Sequence, residues 1–191
     1  MGNISIRDCA TEGVAWRHLK AKRYDKLLEL CSTMCIRRAL SFEFRVEFLG
    51  VLLIQNRLSE AIAETEDIQC CMSSGDMTSK KYPLFLEYGA YAYDLVYDKL
   101  SEIDGLHDET ERHKNLSITY ATRLCSQTDA TDRAVGEYIL GGLLKKHGGD
   151  PLIVKNCFAT SFWLGGLVPA LEAFVREISQ TSPDGKQTDT E

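Results

Sequence analysis

The side chains best equipped for chemistry are seven cysteines, four histidines and one run of carboxylates. Cys31 and Cys35 share a helical face, and Cys70 and Cys71 are adjacent. A structural zinc site takes four ligands, commonly in closely spaced pairs. His107 and His113 have no cysteine near them in sequence. The thiols therefore read as small core residues, and no metal is expected. Gly141-Gly142 and Gly148-Gly149 lack the Lys-Ser/Thr pair that completes a phosphate loop, and no Gly-x-Ser-x-Gly elbow occurs, so no cofactor is expected. A cysteine–histidine nucleophile stays open without any pattern to support it, which keeps a small all-α enzyme as an alternative.

The carboxylates are denser. Between residues 94 and 111 stand Asp94, Asp98, Glu102, Asp104, Asp108, Glu109 and Glu111 against Lys99. Such a run can receive a basic partner. The net charge of −6 disfavours direct nucleic-acid binding, which needs a basic footprint. No secretory leader is read in the first residues, where Arg7, Asp8, Glu12 and Arg17 interrupt any apolar core. With an odd, irregular set of cysteines, the expected compartment is reducing, cytoplasmic or nuclear. No apolar run nears the about 18 residues of a membrane span. Met1-Gly2-Asn3-Ile4-Ser5-Ile6 approaches a myristoylation start, but the hydroxyl falls one place early, at Ser5.

These residues must be carried by helices, because apolar residues recur at helical spacing almost throughout. Leu27, Leu28, Leu30, Cys31, Met34 and Cys35 form one stripe. Phe42, Phe44, Val46, Phe48, Leu49, Leu52 and Leu53 form a helix apolar nearly all round, which predicts a central place. Leu58, Ala61, Ile62, Thr65 and Ile68 define the next. A loop is expected at Ser73–Thr78, then a helix opened by Pro83. Later stripes run through Leu116–Leu124 and Ala134–Leu144. Lys145-Lys146-His147-Gly148-Gly149 reads as a helix stop, and Asp150-Pro151 as the next start. Gly165-Gly166 marks a further break. The reading is all-α, about eight or nine helices without a strand. Residues 1–178 read as one domain, and 179–191 as a disordered polar tail.

Ala21–Leu28 is echoed by Gln55–Ile62 at an offset of 34 residues, aligning Tyr24 with Leu58, Leu27 with Ala61 and Leu28 with Ile62. At this period the chain resembles the tetratricopeptide (TPR) family, whose unit is two antiparallel helices with small residues at their contact. Ala15, Tyr24 and Leu27 fit one unit; in a second, Leu58, Ala61 and Ile62 fit and Gly50 lies one residue from the small place. Phe85, Tyr88 and Gly89 resemble a first helix, and Gly165, Leu167, Ala170, Leu171 and Phe174 a second helix. Met34 and Ile68 depart from the small residue expected late in the unit. The resemblance implies a short right-handed α-solenoid of stacked antiparallel hairpins. The protein also resembles, through Phe85–Ala90, the acidic run and Asn115–Ala121, the interrupted-TPR (NASP-type) histone chaperones.

The resemblance implies a non-enzymatic interaction module, an adaptor or assembly subunit that binds a partner helix or peptide. TPR proteins that clamp chaperone C-termini use Lys and Asn on the groove face. Here those places hold Glu12, Trp16, Val46 and Gly50, so that clamp is absent. The groove would instead present Trp16, Lys20, Leu53 and Tyr93, with Asp98, Glu102, Asp104, Asp108 and Glu109 as a further contact region. The partners expected are proteins, basic ones included. The histone-chaperone reading is the alternative that uses the acidic run.

Overall fold

The computed structural model describes residues 6–181. Among these residues there are ten α-helices, one 3-10 turn and no strand. Residues 1–5 of the myristoylation-like start and residues 182–191 lie outside them. By compactness the protein divides into two units, Met1–Val96 and Tyr97–Glu191.

The first unit holds α1 (Ile6–Lys20), α2 (Tyr24–Leu30), α3 (Met34–Arg38), α4 (Phe42–Ile54), α5 (Leu58–Cys71) and most of α6 (Tyr82–Ser101). α4 is its centre: Phe44, Val46, Phe48, Leu49, Val51 and Leu52 are all buried, as its apolar circumference predicts. α1 packs on α2 and α4, and α4 on α5. Tyr88 of α6 lies so close to Gly50 that a β-carbon there would meet its ring at 2.8 Å.

The 34-residue echo has a geometric counterpart. Lys22 and Asn56, 34 positions apart, are the two described non-glycine residues with positive φ, at 53° and 55°. Arg23 donates its N–H to the His18 carbonyl at 2.9 Å, and Lys22 to Leu19 at 2.9 Å. Arg57 donates to Leu52 at 2.9 Å, and Asn56 to Leu53 at 3.0 Å. Both are Schellman turns, in which a left-handed residue lets two N–H groups reach back to orphan carbonyls. α1 and α4 thus end alike, and α2 and α5 begin at the aligned residues Tyr24 and Leu58.

The stripe from Leu27 to Cys35 is not one helix. α2 stops at Leu30 and α3 starts at Met34, because Thr33 leaves the helix and caps α3, its hydroxyl accepting from the Ile36 N–H at 3.4 Å. This extra break is one reason ten helices stand where eight or nine were expected.

The second unit completes α6 and adds α7 (His107–Cys125), α8 (Ala130–Lys146), α9 (Pro151–Gly165) and α10 (Val168–Thr181). Its punctuation follows local chemistry. Asp150 caps α9, its carboxylate accepting from the Leu152 N–H at 2.8 Å, with Pro151 in the first turn. Gly166 ends α9 at φ 62°. α10 continues through Thr181, so residues 179–181, expected to begin the tail, are helical. Consecutive helices α7 to α10 pack in order. Gly136 and Gly141 make the close contacts of α8: a β-carbon on Gly136 would meet the Cys125 nitrogen at 2.6 Å, and one on Gly141 the Phe158 ring at 2.9 Å. Ser161 donates across to the Ala134 carbonyl at 2.6 Å.

Candidate functional site

The groove residues expected from sequence are distributed unevenly. Trp16 and Lys20 share one face of α1, four residues apart. Trp16 is half-buried, edge-on to Phe44 at 5.2 Å, and its indole N–H donates to Glu12 at 3.3 Å. Glu12 also accepts from the backbone N–H of Ser41 at 3.1 Å and from its hydroxyl. The Trp16–Glu12 pair therefore ties α1 to the start of α4 while leaving part of the indole open. Lys20 is exposed and Leu53 half-buried near the end of α4. Tyr93 is only 2% exposed, so it serves the core instead of a surface. Helical periodicity places Tyr93 on a helix but does not reveal which neighbour covers it.

The acidic run is mostly helix. Asp94 and Asp98 lie on α6, and Asp108, Glu109 and Glu111 on α7, leaving a link of only residues 102–106. Its charge is partly neutralised. Asp98 pairs with Lys146 at 2.6 Å, and Glu109 approaches Arg112 at 3.7 Å and His113 at 3.9 Å. Lys114 pairs with Glu111 at 2.8 Å, and its hydrogen bond, with further cations nearby, holds the Glu111 carboxyl below its ordinary value. Glu102, Asp104 and Asp108 remain exposed.

The most concentrated electrostatics lie where the sequence reading placed nothing. Glu64 on α5 is fully buried between Arg45 of α4, whose Nε donates at 2.6 Å, and Arg37 of α3, whose Nε lies 2.8 Å away. The Arg37 contact is an ion pair whose N–H does not line up as a hydrogen bond. Arg37 also donates through Nη1 to the Cys31 carbonyl at 3.0 Å. One turn on, Asp67 accepts from Arg45 Nη2 at 2.7 Å and from Arg38 Nε at 2.8 Å. The Arg38 hydrogen bond lowers the Asp67 pKa, desolvation opposes it, and Arg45 adds to the lowering. Burial of this kind is tolerated because each carboxylate is met by guanidinium groups. A signal existed in the sequence: Glu64 sits inside the apolar stripe between Ala61 and Ile68, where a solvated acid is out of place.

A recess of about 130 Å³ opens beside this network, lined by Arg38, Arg45, Phe42, Ile68, Met72 and Asp76 among others. In the second unit a different surface stands out. On α10, Val168, Leu171 and Val175 are exposed at spacings of three and four residues, one continuous stripe. On α9, Leu152 and Ile153 are exposed, and Trp163 is 82% exposed. Ala170 and Glu177 occupy the opposite, buried side of α10, with Glu177 paired to Lys145.

The thiols divide by environment. Burial pushes Cys31 up to about 11, and Cys125 and Cys157 up to about 12. Cys70 and Cys71 are exposed. Among the described residues no group of three or more His, Cys, Asp or Glu is placed to hold a metal. No described helix is long and apolar enough to cross a membrane. No protein-family model, curated protein or solved structure matches this protein.

Proposed function

We propose that the protein is a non-enzymatic protein–protein interaction module, an adaptor or assembly subunit built of TPR-like helical hairpins. The observation that carries this reading is the set of exposed large apolar side chains on α9 and α10, above all the aligned stripe of α10. Large apolar side chains scattered singly need no explanation, whereas an aligned stripe marks a place for another apolar face. Val168, Leu171 and Val175 have the spacing of helix-in-groove recognition, and Trp163 is the side-chain type that most often anchors an interface. Trp163 is 82% exposed, so about 160 Å² of its surface is left to cover, and at about 25 cal/mol per Å² this contributes on the order of 4 kcal/mol before ordering costs. A helix held by its neighbours loses little freedom on binding.

The repeated Schellman turn at Lys22 and Asn56 supports the hairpin-repeat part of the reading, since identical turns set identical exits into the following helix. The histone-chaperone alternative is less favoured, because Asp98, Glu109 and Glu111 are already met by cations of the protein itself. Affinity purification of the full-length protein beside the double variant Leu171→Glu/Val175→Glu tests the proposal. A partner recovered in stoichiometric amount with the wild type and lost with the variant, at unchanged helicity, supports it. Equal recovery by both, or a protein repeatedly recovered alone under mild conditions, counts against it.

A further inference from the structure

We propose that the recess beside the buried ion network of the first unit binds a small organic carboxylate carrying a short apolar stem. The inference rests on the first unit alone and is independent of the interaction surface on α9 and α10.

Hydrogen-bond donors favour an anion there. Three guanidinium groups, Arg37, Arg38 and Arg45, gather around two carboxylates, Glu64 and Asp67, and with Asp76 on the recess the local charge balances, so the attraction rests on donors left over at Arg45. Arg45 is the residue that can take a further anion. It is 5% exposed, and it spends Nε on Glu64 and Nη2 on Asp67. Its Nη1 makes no hydrogen bond to any described residue, yet it is not sealed from solvent, and Arg45 lines the recess. A guanidinium has five N–H donors in a fixed plane. Two carboxylates already hold this plane, so the unused donors are preorganised and an arriving carboxylate need not order them. Arg38, also on the recess, is 58% exposed and presents a second guanidinium at its mouth.

Size and lining set the rest of the ligand. At about 130 Å³ the recess is well below the roughly 300–1,000 Å³ of sites that enclose drug-sized molecules, so one small group fits. Leu40, Phe42, Ile68 and Met72 supply an apolar wall for a short alkyl stem. Asp76 completes the specificity. Its carboxylate is held by the Ser73 N–H at 2.7 Å and hydroxyl at 2.8 Å, and it lines the same recess without pairing to Arg38 or Arg45. A second negative charge on the ligand would meet it, so the site selects monocarboxylates over dicarboxylates and phosphates.

The test is a titration of the full-length protein with isovalerate, and separately with its uncharged isostere isovaleramide, at fixed ionic strength. Side-chain NMR signals of Arg45 and Met72 are the readout. Saturable shifts are expected with isovalerate, with the amide weaker by about tenfold or more, the order of one charge-assisted bond. Asp76→Asn should tighten isovalerate binding and Arg38→Gln should weaken it; both residues line the recess, and both changes leave Glu64 and Arg45 in place. N-acetyl-leucine, which mimics the carboxyl end of a peptide, forms a further arm. Isovalerate binding without N-acetyl-leucine binding assigns the site to a free acid, and binding of both assigns it to a carboxylate that a peptide terminus can also supply. The proposal is overturned if isovalerate gives no saturable shift, if acid and amide bind equally, or if both variants, folded like the wild type, leave the affinity unchanged.

Discussion

Replacing Glu64 by glutamine should unfold the first unit far more readily than any surface change nearby. The substitution keeps the shape of the side chain and removes its charge. In the native protein the Glu64 carboxylate lies 2.8 Å from Arg37 Nε and 2.6 Å from Arg45 Nε, and it has no exposure to water that could compensate. A glutamine has one carbonyl acceptor, and its amide hydrogens would confront a guanidinium. At least one buried arginine then loses its counter-charge, at a cost of about 3–5 kcal/mol. That is a large share of the about 5–15 kcal/mol that holds a typical domain. With a urea slope of about 2 kcal/mol per molar, the midpoint should fall by about 1.5–2.5 M. The assay is urea unfolding followed by tryptophan fluorescence in a Trp163→Phe background, where Trp16, packed against Phe44, reports on the first unit. Arg38→Ala is the comparison: Arg38 meets Asp67 from a half-open position, and its loss should cost about 1 kcal/mol or less. The apolar quadruple Arg37→Met/Arg45→Met/Glu64→Leu/Asp67→Leu should regain much of the Glu64→Gln loss, because it removes the buried charges together and leaves only the half-exposed Arg38 without its carboxylate. The reasoning is refuted if Glu64→Gln stays within about 0.5 kcal/mol of the wild type, the range of an ordinary surface change. Equal losses for Glu64→Gln and Arg38→Ala would refute it as well.

Two further outcomes follow from packing and from burial. Gly136→Ala should destabilise by about 1–3 kcal/mol, since its β-carbon would meet the backbone of Cys125 at 2.6 Å and of Leu124 at 2.8 Å. Gly142→Ala, six residues along the same helix with nothing within 4 Å, should stabilise by about 0.5–1 kcal/mol; thermal melts that rank the two the other way would discredit the contact at α7. Brief alkylation near pH 8 followed by peptide mapping should label Cys70 and Cys71 and spare Cys31, Cys125 and Cys157, because the thiolate is the reactive form and burial suppresses it. Labelling of Cys125 or Cys157 at the rate of Cys70 would show that α7 and α9 open easily.

Much of the helical scaffold is legible from the sequence because its signals are local. Asp150-Pro151, Lys145 to Gly149 and Gly165-Gly166 mark helix ends by backbone chemistry that acts within one or two turns. The echo at an offset of 34 residues is local in the same sense, and the two aligned segments close the same turn at Lys22 and Asn56. Local reading also has a characteristic failure. The apolar stripe from Leu27 to Cys35 continues across a break that a weak cap at Thr33 is enough to make. The acidic run has a similar fault: composition suggests an insert, but most of its residues lie on the ends of α6 and α7.

The sequence by itself determined that this protein is helical, where several of its helices start and stop, and that two of its segments echo each other at an offset of 34 residues. The first two properties depend on hydrogen bonds closed over three to five residues. Only the tertiary structure decided which charges are buried and which apolar faces stay open. Arg45 meets Glu64 across 19 residues and Arg38 meets Asp67 across 29, and no property of either partner alone announces the other. Tyr93 and Trp163 are both aromatic residues on helices, α6 and α9, yet one is enclosed and the other stands in water. The difference lies in what packs against each helix, and that is settled by contacts between segments distant in sequence.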